Sequence, residues 1–298
     1  MTTRELQKSF GFADSIKSLP VVNECQNERE TPQLYGSTSP QSTAADRPAA
    51  TVVLQDVIEF ITSIESNSID LIITDPAYSG MNQHLMLGSG RIVGHYQDKG
   101  EQGKWFSEFH DSPENYKQFL GECYRVLKPN RHLFIMFDSY SMLTLAPIVR
   151  ELFNVKNVIT WDKVNIGMGH YFRRQTEFIL FASKGKRPLS RRDIPDIWKI
   201  KRLNRAPYPT QKPVELFEAM IASSKSASDS EFTVCDPFTG SGSAAIAALR
   251  QGVRFIGCDI STRAVELTEQ RIQAFVARGI DILQPKPAFD PAIQKRFW

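Results

Sequence analysis

The sequence predicts an α/β protein: a doubly wound, mostly parallel sheet of seven strands with helices on both faces. Three observations predict it. Short apolar runs of strand length alternate with segments of helical spacing from residue 51 to about residue 277. The runs are rich in Ile, Val, Leu and Phe with little polar interruption, as strands buried on both faces must be. Several of them stop at an Asp, on the carboxyl edge where open α/β sheets hold ligands.

Residues 1–50 read as a polar extension. Asn23 to Ala50 holds Pro32, Pro40 and Pro48 among Ser, Thr, Gln and Asn without periodicity, so this stretch is expected to be mobile. From Thr51 the pattern changes. TVVLQD is a short strand ending at Asp56, and VIEFITSI follows with helical spacing. Ile69 to Tyr78, IDLIITDPAY, is bounded by Ser68 and Pro76 and is too short for a helix, which makes it the central strand.

Residues 79–112 form a glycine-rich connection, well beyond the ~12–15 residues at which structureless loops become uncommon. It leaves directly from Tyr78, so a lid or a groove-probing arm is expected there. Its histidines, His84, His95 and His110, lack the short spacing of metal ligands, so no metal is expected. Trp105, Phe106 and Phe109 are suited to pin the loop to the body. The next helix, Pro113 to Leu127, has Pro near its start and Tyr116, Phe119, Leu120, Cys123, Tyr124 and Leu127 on one face. RHLFIMFD is a strand, Leu143 to Leu152 a helix, and Asn157 to Trp161 and Thr176 to Ser183 two further strands. After residues 184–209, a basic insert, come the helix VELFEAMIASS, the strand EFTVCD, the helix SAAIAALRQ, the strand VRFIGCD and a helix from Thr262 to Ala277. Residues 51–183 and 210–281 are thus two halves of one domain, and 282–298 is a tail.

Composition narrows the class. The chain has 298 residues, 41% hydrophobic and 23% charged, as expected of a globular domain with an elaboration. No apolar run approaches a membrane span, and MTTRELQKSF lacks a hydrophobic signal core, so a cytoplasmic location without membrane contact is expected. Cys25, Cys123, Cys235 and Cys258 show no CxxC pairing. Neither a zinc site nor a disulfide framework is expected; Cys123, on a helix face, and Cys235 and Cys258, at strand ends, are read as buried thiols and not as nucleophiles.

The chemistry starts at Asp75-Pro76-Ala77-Tyr78. An exocyclic amine of adenine or cytosine is a poor nucleophile because its lone pair is delocalised into the ring. The Asp75 carboxylate and the Pro76 carbonyl can both accept hydrogen bonds from that amine and stabilise the positive charge that develops during attack. Proline fixes its own φ, so its carbonyl is aimed at little entropic cost. Tyr78 offers a π-face to an extruded base, a contact of about 1–3 kcal/mol. The alternative is an Asp-Pro turn closing a strand, with Tyr78 in the core.

The second site is CDPFTGSGS, Cys235 to Ser243, between a strand and a helix. Gly240 and Gly242 allow close backbone approach, and Ala245 completes a Gly-x-Gly-x-x-Ala pattern. Asp259, closing the next strand, stands where a ribose-binding acid belongs. The fingerprint alone suggests NAD. Asp236, however, would repel a pyrophosphate and welcome an ammonium group, which argues for S-adenosylmethionine.

With these motifs in view, the chain resembles the β-class amino DNA methyltransferases, a circular permutation of the Rossmann-like methyltransferase fold in which the target-amine motif precedes the cofactor loop. TDPAY resembles the family's Asp-Pro-Pro-Tyr, YPTQKPVELFEAMI its His-Pro-Thr-Gln-Lys-Pro stretch, and RVLKPN, DPFTGSGS and FIGCDIS follow the same order. The resemblance spans about Val52 to Val276. It implies that Asp75, Pro76 and Tyr78 bind the target amine, that Asp236, Phe238, Gly240, Gly242 and Asp259 surround the cofactor, that Thr210, Gln211 and Lys212 close over its methionine end, and that Asp56 lies near its adenine. Two positions depart from the family: Ala77 replaces the second proline, and Tyr208 stands where His is usual.

Lys184 to Arg205 carries nine Lys or Arg against two Asp in a chain of net charge +3, so the remainder is net acidic. The segment lies where the family places its target-recognition insert. Lys186, Arg187, Arg191, Arg192, Lys199, Lys201, Arg202 and Arg205 are therefore expected to meet DNA phosphates, with Trp198 and Tyr208 available for stacking or packing.

The expected activity is methyl transfer from S-adenosylmethionine to an exocyclic amine of duplex DNA, adenine N6 before cytosine N4, because family members acting on cytosine often have Ser at the position of Asp75. Methylation of RNA, a non-catalytic DNA-binding module and an NAD-dependent oxidoreductase are the competing readings. The partners the resemblance allows besides DNA are a second copy of the chain and a cognate restriction nuclease.

Overall fold

The computed structural model describes residues 49–76, 112–167, 172–204, 206–208 and 210–284. The N-terminal 48 residues, the connection 77–111 with Tyr78, its histidines and its aromatic residues, Arg205, and the tail from 285 lie outside the described residues.

Eight strands form one sheet. From edge to edge they are β1 (Ala50–Leu54), β8 (Arg254–Asp259), β7 (Thr233–Asp236), β2 (Ile69–Thr74), β3 (Leu127–Phe137), β5 (Thr176–Lys184), β4 (Asn154–Asp162) and β6 (Ile197–Lys199). The first five of this row are mutually parallel. β5 runs antiparallel between β3 and β4, and β6 is parallel to β4. The eighth strand, β6, falls inside the basic insert and was not among the seven expected. It is only three residues long, too short to leave a readable pattern.

β2 explains why the fold has two layers of helix. All six of its residues are buried. Because side chains alternate along a strand, Leu71 and Ile73 pack with α4 (Val214–Ser224), α5 (Ser243–Arg250) and α6 (Thr262–Arg278). Ile72 packs on the other face with α1 (Val57–Ser63), α2 (Pro113–Val126) and α3 (Ser139–Leu152). Each fully buried Leu, Ile or Phe contributes about 1.5–3 kcal/mol of transfer free energy, so a strand apolar on both faces holds both layers. α2 starts where its caps dictate: Ser112 accepts from the Asn115 N–H at 3.2 Å, and Pro113 occupies the first turn. Cys123, Cys235 and Cys258 are buried, as expected of packing thiols.

The insert is stapled to the edge of the sheet opposite the strands' carboxyl ends. Lys184, at the end of β5, pairs in register with Arg131. The Lys186 N–H donates to Asn130 Oδ1 at 3.0 Å, and Arg187 pairs with Asp229 at 2.7 Å. Buried His132 lies between Ser224 Oγ, at 2.9 Å, and the Arg187 carbonyl, at 3.0 Å. The chain then crosses the sheet and returns through β6, where Trp198 is buried and its indole donates to the Pro195 carbonyl at 2.9 Å. Trp198 therefore packs and is not presented for stacking.

Candidate active site

The five parallel strands each lead into an aspartate at their carboxyl ends. In sheet order these are Asp56, Asp259, Asp236, Asp75 and Asp138. Residues far apart in sequence thus share one edge, and each carboxylate needs a partner. Asp56 and Asp138 cap helices: Asp56 Oδ1 accepts from the Ile58 N–H at 2.8 Å, and Asp138 Oδ1 from the Ser141 N–H at 2.7 Å. Asp259 holds the glycine loop, accepting from the Gly240 N–H at 2.8 Å and the Ser261 N–H at 2.9 Å. Asp236 is 2% exposed and accepts from the Phe238 N–H at 3.0 Å. Asp75 alone meets a lysine, Lys212.

The loop from Asp236 to Gly242 is folded tightly onto β8. The Thr239 N–H donates to the Cys258 carbonyl at 3.0 Å. A Cβ at Gly257 would come within 2.3 Å of Thr239 Oγ1, so only glycine lets the loop lie this close. Gly242 has φ +81°, and a Cβ there would meet the Thr268 side chain at 2.7 Å. Arg271, fully buried, reinforces the turn: it donates to the Ser241 carbonyl and forms a two-armed pair with Asp281 at 2.9 and 2.7 Å. Ser243 Oγ donates to the Lys212 carbonyl at 2.8 Å, which ties this loop to the segment carrying Lys212.

Phe238 points inward, edge-on to Phe119 with ring centroids 5.5 Å apart, and anchors the loop to α2. Tyr208 lies over the loop instead, since a Cβ at Gly240 would sit 3.9 Å from its ring. Burial and the charge of Asp259 push its phenol up to about 12, so it stays neutral. Thr210 is exposed with φ +56°. Gln211 is 7% exposed, and neither atom of its amide has a hydrogen-bond partner among the described residues.

The Lys212 side chain reaches Asp75. Its ammonium hydrogen-bonds Asp75 Oδ2 and lies 3.7 Å from Glu177 Oε2. Glu177 Oε1 in turn accepts from Lys163 at 2.9 Å. Burial raises the Asp75 carboxyl, Lys212 opposes this, and Glu177 adds to it. Burial would depress Lys212, but Asp75 and Glu177 hold it above the usual lysine value. Glu177 and Lys163 were not among the expected site residues. They arrive because β5 runs antiparallel, which brings its beginning to the edge where β2 and β4 end.

The structure thus brings together Asp75, Pro76, Lys212, Asp236, Gly240, Gly242 and Asp259, with Asp56 two strands beyond Asp236. The basic residues are divided. Lys186 and Arg187 sit at the opposite edge of the sheet, and exposed Arg191 and Arg192 follow them; Arg191 pairs with Asp193 at 2.9 Å. Lys199 pairs in register with Asp162, and the Arg202 N–H donates to the Lys163 carbonyl at 3.4 Å, so Lys199, Lys201 and Arg202 are on the edge that carries Asp75.

Carboxylates facing a glycine loop at the switch of a parallel sheet define a class, the Rossmann-like transferases acting through a nucleoside cofactor. Residues 69–270 match the DNA methylase family N6_N4_Mtase, and the chain belongs to that family. It is 29% identical over 245 residues to the type II methyltransferase M2.DpnII of Streptococcus pneumoniae, covering 75% of this chain and 89% of that protein. It is 26% identical over 268 residues to M2.LlaDCHI of Lactococcus lactis subsp. cremoris, covering 83% and 97%. The Thermus thermophilus protein TTHA0409, solved with S-adenosylmethionine, shares the fold at a TM-score of 0.53 and 23% identity over 78% of this chain and 97% of that one. The protein is an S-adenosylmethionine-dependent DNA methyltransferase. Among the described residues no helix is long and apolar enough to cross a membrane.

The residues present fit such a cofactor. Asp75 and Asp259 share the edge with Lys212 and outnumber it, and Asp236 beside them can give up its proton, so the edge offers negative charge to a molecule that carries a sulfonium and an ammonium. The unpartnered Gln211 amide is a buried donor and acceptor without a protein partner among the described residues, of the kind a ligand satisfies.

Proposed function

We propose that the protein methylates the N6 amine of adenine in duplex DNA, with the target base turned out of the helix onto Asp75, Pro76 and Tyr78. The observation that carries this reading is the position of Asp75: it ends the strand next to β7, whose loop forms the glycine turn. Bound S-adenosylmethionine supplies a methyl group already activated for transfer. The chain's own contribution is orientation and electrostatics. Asp75 Oδ1 and the Pro76 carbonyl accept from the amine and localise its lone pair, and Oδ2 is held by Lys212. Asp236, Asp259 and Gln211 bind the cofactor's polar groups, and Gly240 and Gly242 let the backbone approach it. Tyr208 covers the loop with its ring, the place in which the family usually has an imidazole. Asp at position 75 favours adenine, since family members acting on cytosine often have Ser there.

The test is incubation with labelled S-adenosylmethionine and unmethylated duplex DNA, digestion, and identification of the modified nucleoside by mass. N6-methyladenine is expected, whereas N4-methylcytosine would overturn the choice of base. Asp75→Ala should bind cofactor within about twofold of wild type and lose at least ~10³-fold in turnover, the scale of an oxyanion-type contact or more. Turnover at the wild-type rate would sink the role of Asp75.

A further inference from the structure

Four charged side chains run in a line from the target site to the edge of the β4–β5 pair, alternating in sign: Asp75, Lys212, Glu177, Lys163. The contacts are Lys212 to Asp75 Oδ2, Lys212 to Glu177 Oε2 at 3.7 Å, and Lys163 to Glu177 Oε1 at 2.9 Å. All four are mostly shielded, with side chains 28%, 14%, 27% and 12% exposed in that order, so their charges act on one another with little screening by water. They also belong to separate parts of the chain: the end of β2, the segment before α4, the start of β5 and the end of β4.

We infer that Glu177 is a positioning residue for methyl transfer: it shares the ammonium of Lys212 with Asp75 and so sets how much negative charge Asp75 presents to the target amine. The inference rests on the reading of Asp75 as the amine's acceptor. A carboxylate bonded to an ammonium that has no other anion is largely neutralised and stabilises a developing cation poorly. A buried carboxylate beside Asp236 with no ammonium at all takes up a proton, and the neutral carboxyl, though its carbonyl oxygen still accepts a hydrogen bond, no longer offers negative charge to a developing cation. Glu177 holds Asp75 between these limits. One of its oxygens is occupied by Lys163, which fixes its direction, and the other reaches Lys212. Lys212, held on Oδ2, leaves Oδ1 of Asp75 to the amine.

The groups that face Asp75 are Lys212, Glu177 and Asp236, with Lys163 behind Glu177 and the Asp138–Arg174 pair, 3.8 Å apart, at the end of the neighbouring β3. The direction of each effect follows from charge. Removing an anion beside a carboxylate lowers its pKa, and removing a cation raises it.

The experiment is the pH dependence of the single-turnover methylation rate, measured on the full chain with saturating cofactor and duplex DNA. In Glu177→Gln the limb on which activity is lost toward acid should move down by about one pH unit, the plateau rate should fall about tenfold, and cofactor affinity should stay within twofold. In Lys212→Met the same limb should move up by a unit or more. Lys163→Met frees Glu177 to draw on Lys212 alone, so its limb should also move up, by less, and this variant serves if Lys212→Met does not fold. Opposite movement of one limb is an outcome that loss of packing does not produce. An unmoved limb, or movement in one direction in all variants, overturns the inference. Asp75→Asn separates the two levels: if it keeps the wild-type rate, the role of Asp75 itself is wrong, whereas an inactive Asp75→Asn with unmoved limbs elsewhere leaves that role and removes Glu177 from it.

Discussion

Asp236 shows at a single residue how the site trades stability for binding. Its carboxyl is pushed up to about 8, by burial first and then by Asp75 and Asp259, against the hydrogen bond from the Phe238 N–H and the charge of Lys212. At neutral pH without ligand it therefore holds a proton, and a cationic ligand placed against it must expel that proton. Cofactor affinity is expected to rise with pH by up to about tenfold per unit below pH 8 and to level off above it. Calorimetry in two buffers of different ionisation enthalpy should register the released proton. In Asp236→Asn the pH dependence should vanish and binding should weaken. The sign for folding is opposite. A folded-state value above the ordinary aspartate value near 3.9 means that stability is lost as pH rises from about 4 toward 8. Asp236→Asn should consequently be the more stable apoprotein at pH 8, by on the order of 1–2 kcal/mol in urea unfolding, as when a strained site group is relieved.

At the scale of elements, the glycine loop depends on α6. Arg271, on that helix, has no exposed surface, and its charge is matched by Asp281, just past the helix's end, while it also holds the Ser241 carbonyl and Ser243 Oγ. Arg271→Met leaves the buried Asp281 carboxylate with the Leu283 N–H, at 3.1 Å, but without the guanidinium that matches its charge, and should cost about 3–5 kcal/mol in denaturant unfolding. Adding Asp281→Leu should recover most of that stability but not cofactor affinity, because residues 241 and 243 are still left without the guanidinium that holds them. How the elements could be read from sequence follows from similar physics. Strands buried on both faces announced themselves as apolar runs, and Asp75-Pro76 and DPFTGSGS stand at the carboxyl ends of two of them. β3 begins at Leu127, earlier than its apolar run, because Lys128-Pro129-Asn130 looks like a turn and is accommodated by a register shift between Ile69 and Leu71. α3 begins at Ser139 under the Asp138 cap, ahead of the apolar face that marks it in sequence. Glu177 and Lys163 were hidden for a different reason. A Glu near the start of TEFILFASK looks like a solvated strand end until the antiparallel placement of β5 is known, and nothing local in the sequence states which way a strand runs.

For the whole molecule, charge is sorted by depth and by edge. The floor of the site is a row of aspartates, whereas its rim on the β4–β6 side carries Lys199, Lys201 and Arg202, with Arg173 and Arg174 on the β4–β5 connection. An acidic floor suits a cationic cofactor and a basic rim suits phosphates, so one edge attracts both partners without their competing. The basic insert was visible in composition, but its division between two edges was not, since charge counts carry no direction. That division can be tested by salt dependence. Lys199, Lys201 and Arg202 replaced together by Ala should weaken binding to duplex DNA and lower the slope of log affinity against log salt by about 2–3, close to 0.9 for each phosphate no longer neutralised. Cofactor affinity should not change. Lys186→Ala, on the far edge, should leave both affinity and slope as they are. Arg187→Ala should act on stability instead, because it removes one of the two arginines that pair with Asp229, whose carboxyl they help to hold near 2 against its burial. Fluorescence anisotropy over a range of salt, run beside urea unfolding of the same variants, measures both predictions. Equal slopes in the rim and far-edge variants would place the DNA elsewhere on the molecule.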